Sequence, residues 1–218
     1  VNCFEYYLEF LNYRNLQLFG ADVPTEFEGH IDSIDLEKTS LYTVDKMKFG
    51  IISSIYSNIQ TLVFVFGGIL AWYNNWINEL SYTFISGGII FFLLLGYAKG
   101  ILDTPFSLYS TFRIEKKYGF NTMTWKLWIT DAVKGTVIST IIMSLLIVAA
   151  LWICQNIQNW WLPVWGFFLV FSLFMLYISP YVLEPLFNKF VPIDDKELEN
   201  DIKETIAKAG IKVSGVYK

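Results

Sequence analysis

The chain has 218 residues, of which 54% are apolar, 18% aromatic and 17% charged, with a net charge of −4 and one histidine. That composition excludes disorder and argues against a water-soluble domain. The acidic balance gives no affinity for nucleic acid, and where the charges fall carries more information than their sum.

Residues 1–19 are aromatic and apolar but carry Glu5, Glu9 and Arg14. The segment reads as the inner end of a membrane helix whose earlier turns are missing, and it lacks the basic start and uninterrupted apolar centre of a signal peptide. From Gly20 to Lys48, Pro24 to Phe27 form a short polar turn, and Leu36, Leu41, Tyr42 and Met47 recur among charges, as in an amphipathic approach to the next helix.

Between Lys48 and Glu79 there is no charged residue, and the interval contains an apolar run from Ile51 to Trp72. About 20 apolar residues cross a hydrocarbon core of about 30 Å, so this interval predicts a span over 50–73. A second uncharged interval, Ser81 to Ala98, predicts a span over 82–101. The third, Gly135 to Leu183, is roughly twice the membrane thickness at about 1.5 Å per residue and must fold back once. Gln155, Asn156, Gln158, Asn159 and Pro163 mark that turn, giving spans over 134–154 and 161–183. Gly67 with Gly68 and Gly87 with Gly88 lie within spans, where small residues permit close helix contact. The spans lack the charged residues that would mark an ion path, which argues against a transporter.

With these spans all 16 basic residues, among them Arg14, Lys46, Lys99, Arg113, Lys134 and six lysines after Glu184, fall on one side. The positive-inside rule makes that side, with the C-terminus, cytoplasmic. Trp72, Trp76, Trp152, Trp160, Trp161 and Trp165 then lie near the outer boundary, and Trp125 and Trp128 near the inner one.

A charged island, Pro105 to Lys134, joins the second and third spans. Pro105 is suited to the first turn of a helix, Phe106, Tyr109, Phe112 and Ile114 follow at roughly helical spacing, and Gly119 is a good C-cap. A second helix begins near Asn121 or Thr124. The local physics alone describes two interfacial helices, with Arg113, Lys116 and Lys117 at phosphate headgroups and Glu115 paired to a neighbouring base.

After Glu184 the sequence changes character. Leu198, Ile202 and Ile206 share one helical face, Glu199 with Lys203 and Glu204 with Lys208 form i, i+4 pairs, Asp194 with Glu197 makes a capping-box-like start, and Gly210 a stop. Ile211, Val213, Val216 and Tyr217 then predict a strand, which needs neighbours to pair with. Residues 1–183 thus read as a membrane-helix domain and 184–218 as the start of a cytoplasmic domain.

The chemistry-bearing residues are few. His30 stands among Glu28, Asp32 and Asp35 and reads as a solvated surface residue, and Cys3 and Cys154 both fall near the outer side, as two separate thiols or a disulfide. A catalytic zinc site needs about three protein ligands, usually including histidine, and one His with two Cys does not supply it.

Three blocks resemble one known family. Pro105, Tyr109, Phe112, Ile114, Glu115, Gly119, Phe120, Asn121, Thr124, Asp131 and Lys134 resemble the loop between the third and fourth membrane helices of the type I CAAX prenyl endopeptidases, which are membrane-embedded zinc metalloproteases. Val23, Pro24, Glu26 and Phe27, then Lys38, Tyr42 and Lys46, match the approach to that family's second helix. Pro185, Leu186, Phe187, Asn188, Lys189, Phe190 and Pro192 resemble the entry to its protease domain. The resemblance implies an all-α polytopic membrane protein of about five transmembrane helices, the first partial, with amphipathic cytoplasmic helices and the beginning of a soluble α+β metalloprotease domain. It also implies a zinc endopeptidase acting on prenylated or membrane-associated C-terminal peptides, with membrane lipid and the remainder of the protease domain as partners. The family's H-E-x-x-H helix is absent from these residues, so the catalytic and zinc-binding groups lie outside this chain, and the quoted residues have structural roles. A noncatalytic membrane scaffold that binds a lipid or a partner is the alternative. The membrane is either the endoplasmic reticulum or a bacterial inner membrane.

Overall fold

The computed structural model describes residues 2–23, 32–188, 190–208, 210 and 215–217, without the side chains of Asn2, Cys3 and Ser33. Regular structure among them is helical, in two compact units, Val1–Trp152 and Ile153–Lys218. Pro24, Glu26, Phe27, His30, Lys189, Ile211 and Val213 lie outside the described residues, as does the side chain of Cys3. Cys154 is a free thiol.

The first unit opens with α1 (Asn2–Phe19) and α2 (Ser33–Phe66). Asp32 caps α2 by accepting from the Ile34 N–H at 3.0 Å. The two helices run antiparallel. Asn58 donates to the Tyr6 hydroxyl at 2.7 Å, and the Lys48 ammonium sits 5.4 Å from the Tyr13 ring centroid. The amphipathic approach and the span that follows it are therefore one continuous helix of 34 residues, about 50 Å at the usual rise, with its charged first half beyond the apolar part.

The span predicted over 50–73 is not one helix. It breaks at Gly67–Gly68, and α3 (Ile69–Glu79) follows. Gly68 has φ of 78°, a left-handed conformation that costs nothing without a Cβ, so this glycine pair ends a helix instead of admitting a neighbour. Gly88 does admit one, because a Cβ there would overlap Leu151 on the later helix α6. Helix α3 folds against α4 (Phe84–Tyr109), where the buried Tyr73 donates its hydroxyl to the Phe91 carbonyl at 2.7 Å and Ile77 is also buried.

Pro105 does not start a helix. It lies inside α4, where it has no N–H to offer the Ile101 carbonyl one turn back, and beside it the Thr104 hydroxyl donates to the Gly100 carbonyl at 2.7 Å. The helix continues as a π-helical turn, Ser110–Glu115, and a last α-turn, α5 (Lys116–Tyr118). Gly119 closes it at φ of 80°, the C-cap expected from the sequence. Then α6 (Trp125–Asn156) begins behind Thr124, whose hydroxyl oxygen accepts from the Leu127 N–H at 3.2 Å.

The polar stretch after Asn156 turns the chain, and α7 (Trp161–Phe187) follows, carrying Pro180 and Pro185 in its second half. In the second unit α8 (Lys196–Lys208) is capped by Asp195, which accepts from the N–H groups of Glu197 and Leu198 at 3.0 and 3.1 Å. The sequence pattern placed that cap at Asp194. One residue farther puts the carboxylate directly over the free N–H groups, which settles the choice. Both i, i+4 pairs form, Lys203–Glu199 at 2.6 Å and Lys208–Glu204 at 3.2 Å. Tyr217 meets Pro192 in an antiparallel bridge, with the Ile193 N–H donating to the Val216 carbonyl at 3.3 Å.

Among the described residues four helical stretches are long and apolar enough to cross a membrane: Ile34–Phe66, Phe84–Tyr118, Trp125–Asn156 and Trp161–Phe187. Large apolar side chains stand outward along them, with Phe66 81% and Leu176 76% exposed. Soluble monomers do not tolerate exposed apolar surface on that scale, whereas a hydrocarbon environment favours it.

Candidate functional site

The charged half of α2 and the π-turn with α5 and Gly119 form the most specific side-chain arrangement in the first unit. Along α2, Lys38, Tyr42, Asp45, Lys46 and Phe49 recur at three- and four-residue intervals and so share one face. That face meets Tyr109, Glu115, Lys117, Tyr118 and Phe120.

Asp45 is the centre. Its Oδ2 accepts from the Lys117 ammonium at 2.6 Å and from the Tyr118 hydroxyl at 2.7 Å. The next residue, Lys46, donates to Glu115 at 3.3 Å. Above these, the Tyr42 ring stands edge-on to Tyr118 and Phe120 at 5.4 and 4.9 Å. The ammonium of Lys38 lies 5.5 Å from the Phe120 centroid, and that of Lys46 lies 5.3 Å from Tyr42, both within cation–π range. Below, Phe49 stacks on Tyr109 at 4.9 Å and Phe106 packs on Tyr56 at 4.6 Å. Val44, Ile114 and Tyr118 are buried here. The ion pairs are partly exposed and contribute little singly, while the Asp45–Tyr118 bond has a buried donor and carries more.

The π-turn and Gly119 set the local geometry. A π-turn inserts one extra residue per turn, which rotates Glu115, Lys117 and Tyr118 relative to an unbroken α-helix continuing from α4. Gly119 then reverses the chain without Cβ strain and delivers Phe120 to Tyr42 and Lys38. Asn121 folds the next residues by accepting from the Met123 N–H at 2.7 Å, and Phe112 stacks flat on Trp125 at 4.1 Å, seating the start of α6.

Of the residues singled out by the sequence, Tyr109, Glu115 and Phe120 are thus brought together with Lys38, Tyr42 and Lys46. Gly119, Asn121 and Thr124 shape the backbone beside them, and Phe112 holds Trp125. Pro105 lies one turn below Tyr109 in α4. Asp131, whose Oδ1 is enclosed by protein, and Lys134 stand farther along α6. In the second unit Pro185, Leu186 and Phe187 form the last turn of α7, and the Asn188 N–H donates to the Glu184 carbonyl at 2.9 Å. Phe190 and Pro192 both meet Tyr217. Sequence reasoning missed Asp45, the acceptor that organises the clasp, and Phe49. Their spacing from Tyr42, at three and seven residues, was the available signal.

Among the described residues no group of three or more His, Cys, Asp or Glu side chains is placed to hold a metal ion. The clasp joins α2 to the segment that continues α4 and seats the start of α6.

Comparison with known proteins agrees with this geometry. The family described as CAAX prenyl protease N-terminal, five membrane helices, matches residues 12–189. The CAAX prenyl protease 1 homolog of rice is 31% identical over 98% of this chain and 52% of its own length. The human homolog is 33% identical over 94% and 45%. The crystal structure of S. mikatae Ste24p superposes with a TM-score of 0.82 at 30% identity, over 99% of this chain and 51% of that one. The chain spans about half the length of the curated relatives it matches. It is accordingly a multi-pass integral membrane protein that belongs to the CAAX prenyl protease N-terminal family.

Proposed function

We propose that this chain is the N-terminal membrane portion of a zinc metalloendopeptidase of the CAAX prenyl protease type. It encloses an intramembrane chamber and supports proteolysis near the C-terminus of prenylated or membrane-associated proteins. The observation that carries the reading is the likeness to S. mikatae Ste24p across 99% of this chain. In that assignment the zinc ligands and the glutamate that activates water come from polypeptide outside these residues, where zinc would polarise the scissile carbonyl. The membrane helices admit the lipid-modified end of the substrate, and the clasp holds the cytoplasmic face of the bundle. The basic residues and the C-terminus face the cytoplasm.

The test is cleavage of a farnesylated peptide ending in a CAAX sequence by the intact protein. Release of the C-terminal tripeptide, abolished by a zinc chelator and restored by zinc, is the expected result. Binding of the peptide without cleavage at any zinc concentration would overturn the enzymatic reading in favour of a noncatalytic scaffold.

A further inference from the structure

Beside the clasp, α2 and α4 leave a pocket of about 410 Å³. It lies where both uncharged runs end on the basic side of the membrane. Gly50 and Ser53 belong to the uncharged run of α2, whereas Lys46 precedes it; Lys99 is the first charged residue after the run in α4. The pocket is amphiphilic. Lys46 and Lys99 line it with the hydroxyls of Ser53, Ser57 and Ser107, and the rings of Phe49 and Phe106 make its apolar wall.

Two ammonium groups, those of Lys46 and Lys99, face the pocket as donors, with the Asp103 carboxylate also in the lining. The Lys99 ammonium meets Asp103 at 2.8 Å and Ser57 at 3.5 Å, and the Lys46 ammonium meets Glu115 at 3.3 Å. Each contact fixes a Nζ at the pocket, and an ammonium has three donors, so both retain capacity for a ligand oxygen. A soluble anion would have no use for the aromatic wall. A ligand with phosphate oxygens at one end and hydrocarbon at the other matches both halves, and basic pockets between helices at the cytoplasmic boundary are suited to anionic headgroups. Gly50 widens the space, since a Cβ there would meet nothing within 4 Å.

We propose that this pocket holds the phosphate of an anionic phospholipid from the adjacent leaflet, with Lys46 and Lys99 as its cationic contacts and Phe49 and Phe106 against its glycerol and upper acyl carbons. The proposal does not depend on the proposed activity.

The experiment measures thermal unfolding of the intact protein in lipid-free detergent, with phosphatidic acid as the probe. Phosphatidylcholine, inorganic phosphate and a short peptide with a free C-terminal carboxylate are the comparison ligands. Phosphatidic acid at about ten times its dissociation constant should raise Tm by roughly 3–5 °C. The other three should give less than half of that shift. Gly50→Leu fills the pocket and Lys99→Gln removes a donor at the cost of one exposed ion pair, so both should lose most of the shift. Lys116→Gln, an exposed lysine on the same side but outside the pocket, should keep it. If Gly50→Leu does not fold, Ser53→Leu reads the same wall. An undiminished shift in the folded pocket variants, equal shifts with phosphatidic acid and phosphatidylcholine, or a full shift from inorganic phosphate or the peptide would overturn the proposal.

Discussion

Replacing Asp45 by alanine should destabilise the membrane unit more than any other single change at the clasp. Two bonds end on its Oδ2, from Lys117 at 2.6 Å and from Tyr118 at 2.7 Å. The Lys117 side chain is 63% exposed, so solvent screens its pair and the pair contributes little. Tyr118 is 7% exposed, and a hydrogen bond from a buried hydroxyl to a charged acceptor is worth about 1.5–3 kcal/mol. Losing both should cost about 2–3 kcal/mol, or a Tm lower by roughly 4–12 °C for a chain of this size. Asp45→Asn keeps an acceptor for Tyr118 and should lose about half as much, and Lys117→Gln should lose less than either. Thermal unfolding in detergent, followed by tryptophan fluorescence, measures each variant. A double-mutant cycle with Tyr118→Phe isolates the central bond and should give a coupling of about 1–2 kcal/mol. If Asp45→Ala costs no more than Lys117→Gln, or if the cycle closes additively, the reasoning that centres the clasp on Asp45 is wrong.

Three further outcomes test other joints. Gly119→Ala should lower stability by about 1–2 kcal/mol, because φ of 80° penalises any Cβ even where the space is open, and Gly119→Asn should recover part of the loss in the same unfolding assay. Gly88→Val crowds Leu151 between α4 and α6 and should cost about 1–3 kcal/mol, whereas the double variant with Leu151→Ala should be more stable than Gly88→Val alone; a double variant no better than the single would refute direct packing there. Thr124→Ala removes the N-cap of α6 at a cost of about 1 kcal/mol, and Thr124→Asp should match the wild type, with hydrogen exchange at the amide of Leu127 reporting the cap directly.

Much of this architecture is legible because membrane helices are written in composition. An uncharged run long enough to cross hydrocarbon has few other folds open to it, and the polar residues 155–159 turn the chain as their types require. Caps were nearly as readable: Gly119 falls where the pattern put it, Thr124 is one of the two starts offered for α6, and Asp195 is one residue from the expected cap. Pro105 and Gly67–Gly68 were misjudged for a common reason. Each residue type admits two backbone uses, and which is adopted depends on neighbours: Pro105 stays inside a helix that runs on into the π-turn, while Gly68 takes a left-handed turn and α3 after it packs on α4.

The sequence by itself determined that the protein crosses a membrane several times, where most crossings lie and which family it resembles, since these rest on local hydropathy and short motifs. Only the tertiary structure decided that the Lys38–Tyr42–Lys46 face and the Glu115–Phe120 segment are two halves of one clasp, and that Asp45 stands between them. Lys46 and Glu115 stand 69 positions apart, and their meeting depends on the angle between α2 and α4 and on the extra residue of one π-turn, neither of which a local pattern encodes.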